Sequence, residues 1–324
     1  MIDPANYVFQ FGGNDPIAKV QVKTPFTVYT EDAFSGKLVS IDGKPRQLAP
    51  FPNVNPLTGP IEIEGASNGD IVAVHILEMI PGRDWGVSTI SPNFGLLSSN
   101  PLSPNLQSEQ KEYVWIWNFN NKRSSLVTQS SNGISMTAKY TPFFGTIGVA
   151  PSYGEIRLGV VPGDFGGNLD LADVGPGVTL YLRSNIEGAH LYLGDGHYAQ
   201  GDGEITGTAI EGSFNSSVIV DVLKSEELIS WPRFESDSHI GVVGCTRPLD
   251  DAVKISVTEL VDWVARITDL NQADSHQLVS QNCTLRIGNM VNPQFSVMCL
   301  IPKTALGDHI SIYSNVHQTL SIKK

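Results

Sequence analysis

Alternation of apolar and polar residues is the most frequent pattern in this chain. IEIEG at 61–65 alternates strictly, while DIVAVHIL at 70–77, VTLYLRS at 178–184 and SSVIVDVL at 216–223 are rich in β-branched residues. Both features are typical of strands. The chain has 31 glycines and 20 prolines, and many of them punctuate these segments. The pattern therefore predicts short strands and turns up to about Pro232, without a fixed-period repeat.

A helical period replaces the alternation in TRPLDDAVKISVTELVDWVARITD at 246–269. Thr246 and Pro248 suit the start of a helix. Apolar residues then recur at intervals of three or four, which indicates an amphipathic helix. These residues are Leu249, Val253, Val257, Leu260, Val261 and Val264.

The segments after this helix predict further helical and extended structure. ADSHQLVSQN at 273–282 suits a shorter helix, and TLRIGNMV at 284–291 and FSVMCLIP at 295–302 suit strands. We therefore expect a mostly β fold with a sandwich- or barrel-like core and a C-terminal α+β portion. Residues 1–235 would form the β-rich core that carries the functional site, and residues 236–324 would pack on it as part of one composite unit.

Charge and length exclude several classes of protein. The 324 residues suffice for a large buried core, and 21 basic against 33 acidic residues give a formal charge of −12. This balance disfavours nucleic acid as a partner. IVAVHILEMI at 71–80 is too short to cross a bilayer and contains His75 and Glu78. The first residues lack the regions of a signal peptide, so we expect a cytoplasmic protein without a membrane partner.

Cysteine chemistry is not favoured by the sequence. The three cysteines, Cys245, Cys283 and Cys299, form no C-x-x-C pair. We expect all three to be reduced thiols that pack in the protein interior. Cys245 precedes the long helix but has no convincing base nearby in sequence. A GGSS-like serine stretch with a suitable lysine, as expected for a Ser-Ser-Lys amidase, is missing from the sequence.

GDGHYAQGDGE at 194–204 crowds acids and a histidine among four glycines. Strand alternation places Asp195 and His197 on the same face as Leu191 and Leu193, so an apolar face ends in an acid and a histidine. A buried carboxylate needs a cation or several hydrogen bonds. A divalent metal bound by this segment would meet that need. The alternative is a solvated glycine-rich turn stabilised by its own acids.

A second polar cluster precedes it in PGDFGGNLDLADVGPG at 162–177. Its oxygen-bearing side chains can bind a hard cation or orient another ligand. A simple Asn/Asp/Gly-rich turn is the alternative interpretation. The side chains concerned are those of Asp164, Asn168, Asp170 and Asp173.

The other histidines do not show ligand spacing. His75 lies in an apolar strand and is expected to be a hydrogen-bonded core residue. The remaining ones are left out of the predicted site: His190, His239, His276, His309 and His317.

Several blocks together resemble the acetamidase/formamidase family of amide hydrolases. PFFGTIGVAPSYG, PGDFGGNLD and IEGAHLYLGDGHYAQGDGEITGTAIE carry the resemblance. TEDAFSGKL with Asp32, NPLTGPIEIEGASNGDIVAVHIL and PLDDAVKISVTELVDWV match further blocks in the same order, so the resemblance spans nearly the whole chain.

The resemblance implies hydrolysis of a short aliphatic amide, such as formamide or acetamide, to a carboxylate and ammonia. It also implies a mostly β, cytoplasmic protein that forms a homodimer or a larger homo-oligomer and binds a divalent metal. Imidazole and carboxylate ligands favour Zn²⁺, with Ca²⁺ as the alternative.

Roles for individual residues follow from the resemblance and from the chemistry of amide cleavage. Such a reaction needs an activated water, a stabilised oxyanion and a proton carrier. Glu204 is the predicted base and proton carrier, Asp202 an alternative ligand or partner, and Asn168 the residue that positions water or substrate. The predicted metal ligands are Asp32, Asp170, Asp195 and His197.

Some positions depart from the family pattern, namely Arg183, Ser184, Tyr198 and Thr284. Tyr198 would alter the accepted substrate size if its ring faced the site. Two alternative functions remain open. One is a non-catalytic β-rich protein with a structural metal, and the other is a metal-dependent hydrolase of a larger or cyclic amide.

Overall fold

The computed structural model describes residues 1–4, 6–97, 111–224, 228–307 and 310–322. Two large sheets contain most of the strands, one with eleven strands and one with eight, and a third sheet has two. All pairings between strands are antiparallel except one in the eleven-stranded sheet. The prediction of a mostly β fold with helices near the C-terminus is confirmed.

The strands and helices have the following bounds. The strands before residue 150 are β1 (Gln10–Phe11), β2 (Ala18–Val20), β3 (Phe26–Thr30), β4 (Leu57–Ile63), β5 (Ile71–Pro81), β6 (Trp85–Ile90), β7 (Tyr113–Phe119), β8 (Ser125–Gln129), β9 (Ser135–Lys139) and β10 (Phe143–Gly148). The later strands are β11 (Arg157–Leu158), β12 (Pro162–Gly163), β13 (Gly166–Asn168), β14 (Val178–Arg183), β15 (Leu191–Ala199), β16 (Ile210–Glu211), β17 (Phe214–Leu223), β18 (Arg233–Glu235), β19 (His239–Thr246), β20 (Thr284–Asn289) and β21 (Phe295–Pro302). The α-helices are α1 (Pro45–Leu48), α2 (Leu249–Thr268), α3 (Gln272–Asn282) and α4 (Val316–Ser321).

The order of strands in each sheet differs from the order in the chain. The eleven-stranded sheet runs β12-β13-β10-β15-β16-β6-β7-β8-β9, with β4 also pairing with β15 and β2 with β4. The eight-stranded sheet runs β20-β21-β19-β18-β14-β5-β17-β3. It contains strands from both sides of residue 235, and the division into 1–235 and 236–324 stays a prediction.

Strand β5 shows why its sequence is a continuous apolar run. Its side chains alternate between two hydrophobic clusters, so both faces of the strand are buried. On one face Val74 packs in the core that includes residues of both large sheets. On the other face Ala73 packs near Leu320 of α4. His75 shares this second face and is bonded through Nδ1 to the Thr179 hydroxyl at 2.8 Å, which confirms it as a hydrogen-bonded core histidine.

Helix α2 lies on strands β19 and β21, and the helix predicted from the periodicity is confirmed. Its buried face centres on Ala252, Ser256 and Leu260. The helix backbone approaches β19 at Gly244, where an added Cβ atom would lie 2.4 Å from the carbonyl oxygen of Ala252. Only a residue without a side chain permits this approach.

Substitution of Gly244 by alanine is therefore expected to destabilise the fold by about 1–3 kcal/mol, since the helix must move away from the strand. Urea unfolding followed by circular dichroism measures the change. Gly201→Ala is the matched control, because an added Cβ at Gly201 meets no atom within 4 Å. Equal stability of the two variants would contradict the close packing of α2 on β19.

The cysteines and the expected lack of a membrane-spanning segment can also be compared with the structure. The three cysteines are free, and Cys245 and Cys299 are buried, in agreement with a packing role. Burial raises the pKa of the Cys245 thiol, which disfavours the thiolate. Among the described residues, none of the helices has the length and apolar character needed to cross a bilayer. His309 lies outside the described residues.

Candidate metal and active site

Four adjacent strands of the eleven-stranded sheet carry the main polar cluster. In the order β13, β10, β15 and β16 they contribute Asn168, Thr146, the pair Asp195 and His197, and Glu211. All five residues are buried. In the strand register His197 is opposite Glu211, and Thr146 is opposite Asn168. The sheet thus gathers polar side chains that are far apart in the sequence.

Gly145 provides the space in which two of these side chains converge. An added Cβ atom at Gly145 would lie 2.6 Å from Cε1 of His197 and 2.8 Å from Oδ2 of Asp195. Asp195 and His197 therefore lie over the bare backbone of β10, on the same face of β15. A side chain at position 145 would occupy the centre of the cluster.

Four acidic residues and one histidine form two overlapping groups suited to a metal ion. Asp170 and Glu204 here join the residues that the four strands contribute to the cluster. Asp170, Asp195 and His197 form one group, and His197, Glu204 and Glu211 form the other. In each group the ligand atoms lie within 4.8 Å of one another. His197 belongs to both groups. Its Nε2 atom is 3.4 Å from Oδ1 of Asp195 and 3.4 Å from Oε1 of Glu211.

Several polar atoms of this cluster are buried without a hydrogen-bond partner among the described residues. They are Oδ1 of Asp170, Oδ1 of Asp195 and both ring nitrogens of His197. A buried polar atom without a partner costs about 1–3 kcal/mol, and more if it is charged. A divalent cation would satisfy carboxylate oxygens and an imidazole nitrogen together, and this donor set suits Zn²⁺ or a similar ion. The residues present therefore fit a metal site.

Neutral side chains fix the orientation of Asp195. The Asn55 amide donates to Oδ2 of Asp195 at 2.8 Å and to Oδ1 of Asn168 at 2.9 Å. The Thr146 hydroxyl lies 3.3 Å from the same Asp195 oxygen and is bonded to Asn168. These contacts occupy Oδ2 and leave Oδ1 directed to the centre of the cluster, as is common for carboxylates that bind metals.

Asp170 is held in the same manner. Its Oδ2 atom accepts hydrogen bonds from the amide of Asn168 at 3.1 Å and from the amide of Asn292 at 2.7 Å, while Oδ1 has no partner. Gln200 donates to the backbone carbonyl of Asp170 at 2.7 Å. Asn168 thus uses its amide to orient Asp170.

Three of the acidic residues have backbone φ angles in the left-handed region. The φ angles are +51° at Asp170, +53° at Asp195 and +47° at Glu204. Residues other than glycine seldom adopt this conformation, although aspartate tolerates it better than most. Such strain is concentrated at functional sites, where the surrounding structure maintains it.

Burial and mutual repulsion act on the charges of the cluster. Burial raises the pKa of Asp170 and Glu204, and neighbouring carboxylates raise it further. Burial and Asp195 also raise the pKa of Glu211, although His197 opposes this. Burial alone would lower the pKa of His197, but Glu211 and Asp195 raise it to about 9. The cluster therefore favours bound positive charge, whether as protons or as a cation.

Asp32 is buried beside this cluster but has a different partner. Its carboxylate pairs with the guanidinium group of Arg83 and accepts two backbone N–H groups of its own loop. It belongs to neither of the two metal-suited groups among the described residues. The adjacent N–H of Ala33 lies 3.4 Å from Oε2 of Glu211. Asp32 as a metal ligand stays a prediction.

Asp202 and Glu204 diverge although they are two residues apart. The Asp202 side chain is 43% exposed and pairs with Arg286 at 3.2 Å, whereas Glu204 is buried in the cluster. Gly203 and Glu204 have φ angles of +89° and +47°, so the chain is not extended here and side chains do not alternate. The structure brings Glu204, but not Asp202, to the metal-suited groups.

Glu211 and three hydrogen-bonding residues were not identified from the sequence. Glu211 follows Ile210 and precedes a glycine, a pattern that offers only a weak signal of an acid in a buried strand. It reaches the cluster through the long-range pairing of β16 with β15. The other residues are Asn55, Thr146 and Asn292.

The departures from the family pattern lie away from the cluster. The Tyr198 ring is on the face of β15 opposite His197, and its hydroxyl is 3.1 Å from the carbonyl oxygens of Arg83 and Ser213. It therefore does not restrict the space around His197. Arg183 and Thr284 belong to strands of the eight-stranded sheet.

Comparisons with known proteins agree with this fold. Residues 14–158 and 156–239 match the model of the Acetamidase/Formamidase family. The crystal structure of an acetamidase from Yersinia enterocolitica has a TM-score of 0.87 and 33% identity, and the match covers 94% of this chain and 90% of that one. An acetamidase from Bacillus halodurans has a TM-score of 0.84 and 28% identity, with 95% and 99% covered.

A curated relative from Schizosaccharomyces pombe, a putative formamidase, is 25% identical over 214 residues, which are 52% of each chain. The chain spans about half of the length of the curated relatives it matches. The matched residues include the blocks that carry the resemblance seen in the sequence. This chain belongs to the acetamidase/formamidase family.

Proposed function

We propose that this chain hydrolyses the C–N bond of short aliphatic amides, such as formamide and acetamide, to a carboxylate and ammonia with the assistance of a divalent metal. The observation that carries the proposal is the group of unpartnered polar atoms of Asp170, Asp195 and His197 around Gly145. The names of the relatives, acetamidase and formamidase, support the same chemistry.

In this proposal Asp170, Asp195 and His197 hold the metal, and Glu211 lies 3.4 Å from Nε2 of His197. Zn²⁺ is the favoured ion because of the imidazole donor, and Ca²⁺ is the alternative. A divalent ion bound there would polarise the amide carbonyl and lower the pKa of water. Asn55, Thr146 and Asn168 keep the ligand carboxylates in place through the bonds described above.

Glu204 is the proposed proton carrier. Burial raises the pKa of its carboxyl, and a carboxylate with a raised pKa is a better base near neutral pH. It accepts a proton from the attacking water and donates a proton to the leaving nitrogen, since ammonia leaves more readily than the amide anion. Asp202 lines the same cavity but has no part in this scheme, because its carboxylate pairs with Arg286.

A purely structural metal site is the less favoured function. Such sites have a closed set of ligands and no adjacent room for a substrate. Glu204 and Gln200 instead line a cavity of about 600 Å³, which leaves room for a small substrate beside Glu204. A cytoplasmic location and assembly into a homodimer or larger homo-oligomer stay predictions.

Hydrolysis and metal content are best tested on one sample of purified protein. Ammonia release from formamide, acetamide and propionamide is measured beside the metal content, before and after treatment with a chelator. We expect release that is lost on chelation and recovered when Zn²⁺ is added back, because the unpartnered ligand atoms depend on a cation. A folded, metal-loaded protein that releases no ammonia from any of the three amides would overturn the proposal.

A further inference from the structure

A second cavity of about 600 Å³ shares no lining residue with the cavity at Glu204. Its walls are mostly apolar and include Val54, Phe94, Val160 and Val291. Cavities of this size in proteins hold drug-sized ligands rather than the smallest amides. We call it the apolar cavity.

The apolar cavity meets the metal-suited cluster at Asn292. This residue lines the cavity, and its side-chain amide donates to Oδ2 of Asp170 at 2.7 Å. Asn292 therefore contacts both the cavity and a proposed metal ligand. Val291, the preceding residue, belongs to the cavity wall.

Two other wall segments lead directly to the same cluster. Val54 lines the cavity, and the next residue, Asn55, donates to Oδ2 of Asp195 at 2.8 Å. Val160 also lines the cavity, and the backbone carbonyl of the next residue, Val161, accepts the N–H of Asn168. Three separate parts of the chain thus supply both an apolar wall and a contact to the cluster, as expected for the acyl side of an amide site.

We propose that the apolar cavity receives the acyl chain of the substrate, so that primary amides with a long, uncharged acyl chain are preferred to acetamide. This inference rests on the proposed function. Formamide and acetamide would leave the cavity to water, whereas hexanamide would place its methylene groups against the valines. Discrimination by apolar contact is roughly tenfold or more for each well-packed methylene.

Two arginines, Arg46 and Arg247, line the cavity, and the contacts of Arg247 support an uncharged occupant. The Arg247 guanidinium stacks on the ring of Phe295 at 4.3 Å and donates to the backbone carbonyl of Asn292 at 2.6 Å. It thereby fixes the segment that carries Asn292. The positive charge of Arg247 thus contacts groups of the protein itself. The valines are left to contact the acyl chain.

The test compares kcat/KM for acetamide, butyramide and hexanamide with metal-loaded protein. We expect hexanamide to exceed acetamide by about tenfold or more. Val291→Trp fills the cavity and should remove this advantage while acetamide turnover changes by less than about twofold. Phe94→Ala is a second variant, at a partly exposed position, and should lower kcat/KM for hexanamide through lost contact.

Ile134→Trp is the matched control, because Ile134 is exposed and lines neither cavity. It should leave the ratio of hexanamide to acetamide unchanged. Hydrolysis of acetamide without a preference for hexanamide would overturn this inference and leave the proposed function intact. Equal losses of activity toward both amides in Val291→Trp would have the same meaning.

Absence of ammonia from every amide would instead count against the proposed function. Calorimetric titration with hexanamide then tests the cavity without turnover. Binding to the metal-loaded wild-type protein that is lost in Val291→Trp supports the acyl cavity, and absence of binding overturns it.

Discussion

Replacement of His197 by alanine is expected to lower amide hydrolysis by about a thousandfold or more and to remove the bound metal. His197 is the only imidazole in either metal-suited group of the described residues, and it belongs to both groups. Without it, the carboxylates of Asp195, Glu204 and Glu211 repel one another with no imidazole between them. Ammonia release and metal content, determined on one preparation, measure both effects.

His190→Ala is the control for this experiment. His190 directly precedes β15 and is partly buried, yet it belongs to neither metal-suited group among the described residues. The His190 variant should keep its metal and its activity. A His197→Ala protein that retained both would show that the ion, if any, binds elsewhere.

Substitution of Glu204 by glutamine is expected to lower kcat by about 10²–10⁴-fold while the protein keeps its metal. The change removes a proton carrier but preserves size, and Asp170, Asp195 and His197 remain as ligands. Steady-state kinetics with acetamide and metal analysis on the same preparation separate a loss of catalysis from a loss of metal.

Asp202→Asn is the matched substitution, since it also converts a carboxylate to an amide within the same motif. Because the Asp202 carboxylate pairs with Arg286 at the surface, we expect kcat within about twofold of wild type, as for most exposed ion pairs. Equal losses in the two variants, or a loss confined to Asp202→Asn, would exclude Glu204 as the proton carrier proposed here.

Sequence patterns predicted several regular elements of the fold. The long helix α2 and the strand β21 lie where their patterns indicate. Alternation along β15 also predicted that Asp195 and His197 share a face, and both lie over Gly145. The pattern succeeded here although Asp195 has a φ angle of +53°, outside the regular strand conformation.

Contacts between distant segments could not be predicted in the same way. Glu211 reaches His197 because β16 pairs with β15, and Asn292 reaches Asp170 across a larger separation in sequence. No spacing rule encodes such pairings. They depend on which strands become neighbours in the sheet.

Loop geometry limited the prediction for two acids. Strict alternation places Asp202 and Glu204 on one face, but the positive φ angles of Gly203 and Glu204 turn them apart. Asp32 as a metal ligand stays a prediction, and residue types alone did not indicate that its buried carboxylate pairs with Arg83. Both outcomes depend on partners and backbone angles that residue types alone do not specify.

The left-handed backbone at Asp170, Asp195 and Glu204 has a consequence for attempts to make this protein more heat-resistant. Glycine at these positions would relieve backbone strain and, at the same time, remove buried carboxylates that repel one another. Selection for survival at high temperature alone would therefore favour variants that have lost the cluster. A search for robust variants of this chain must retain a selection for turnover, since three of its positions with left-handed backbone are among those proposed to perform the reaction.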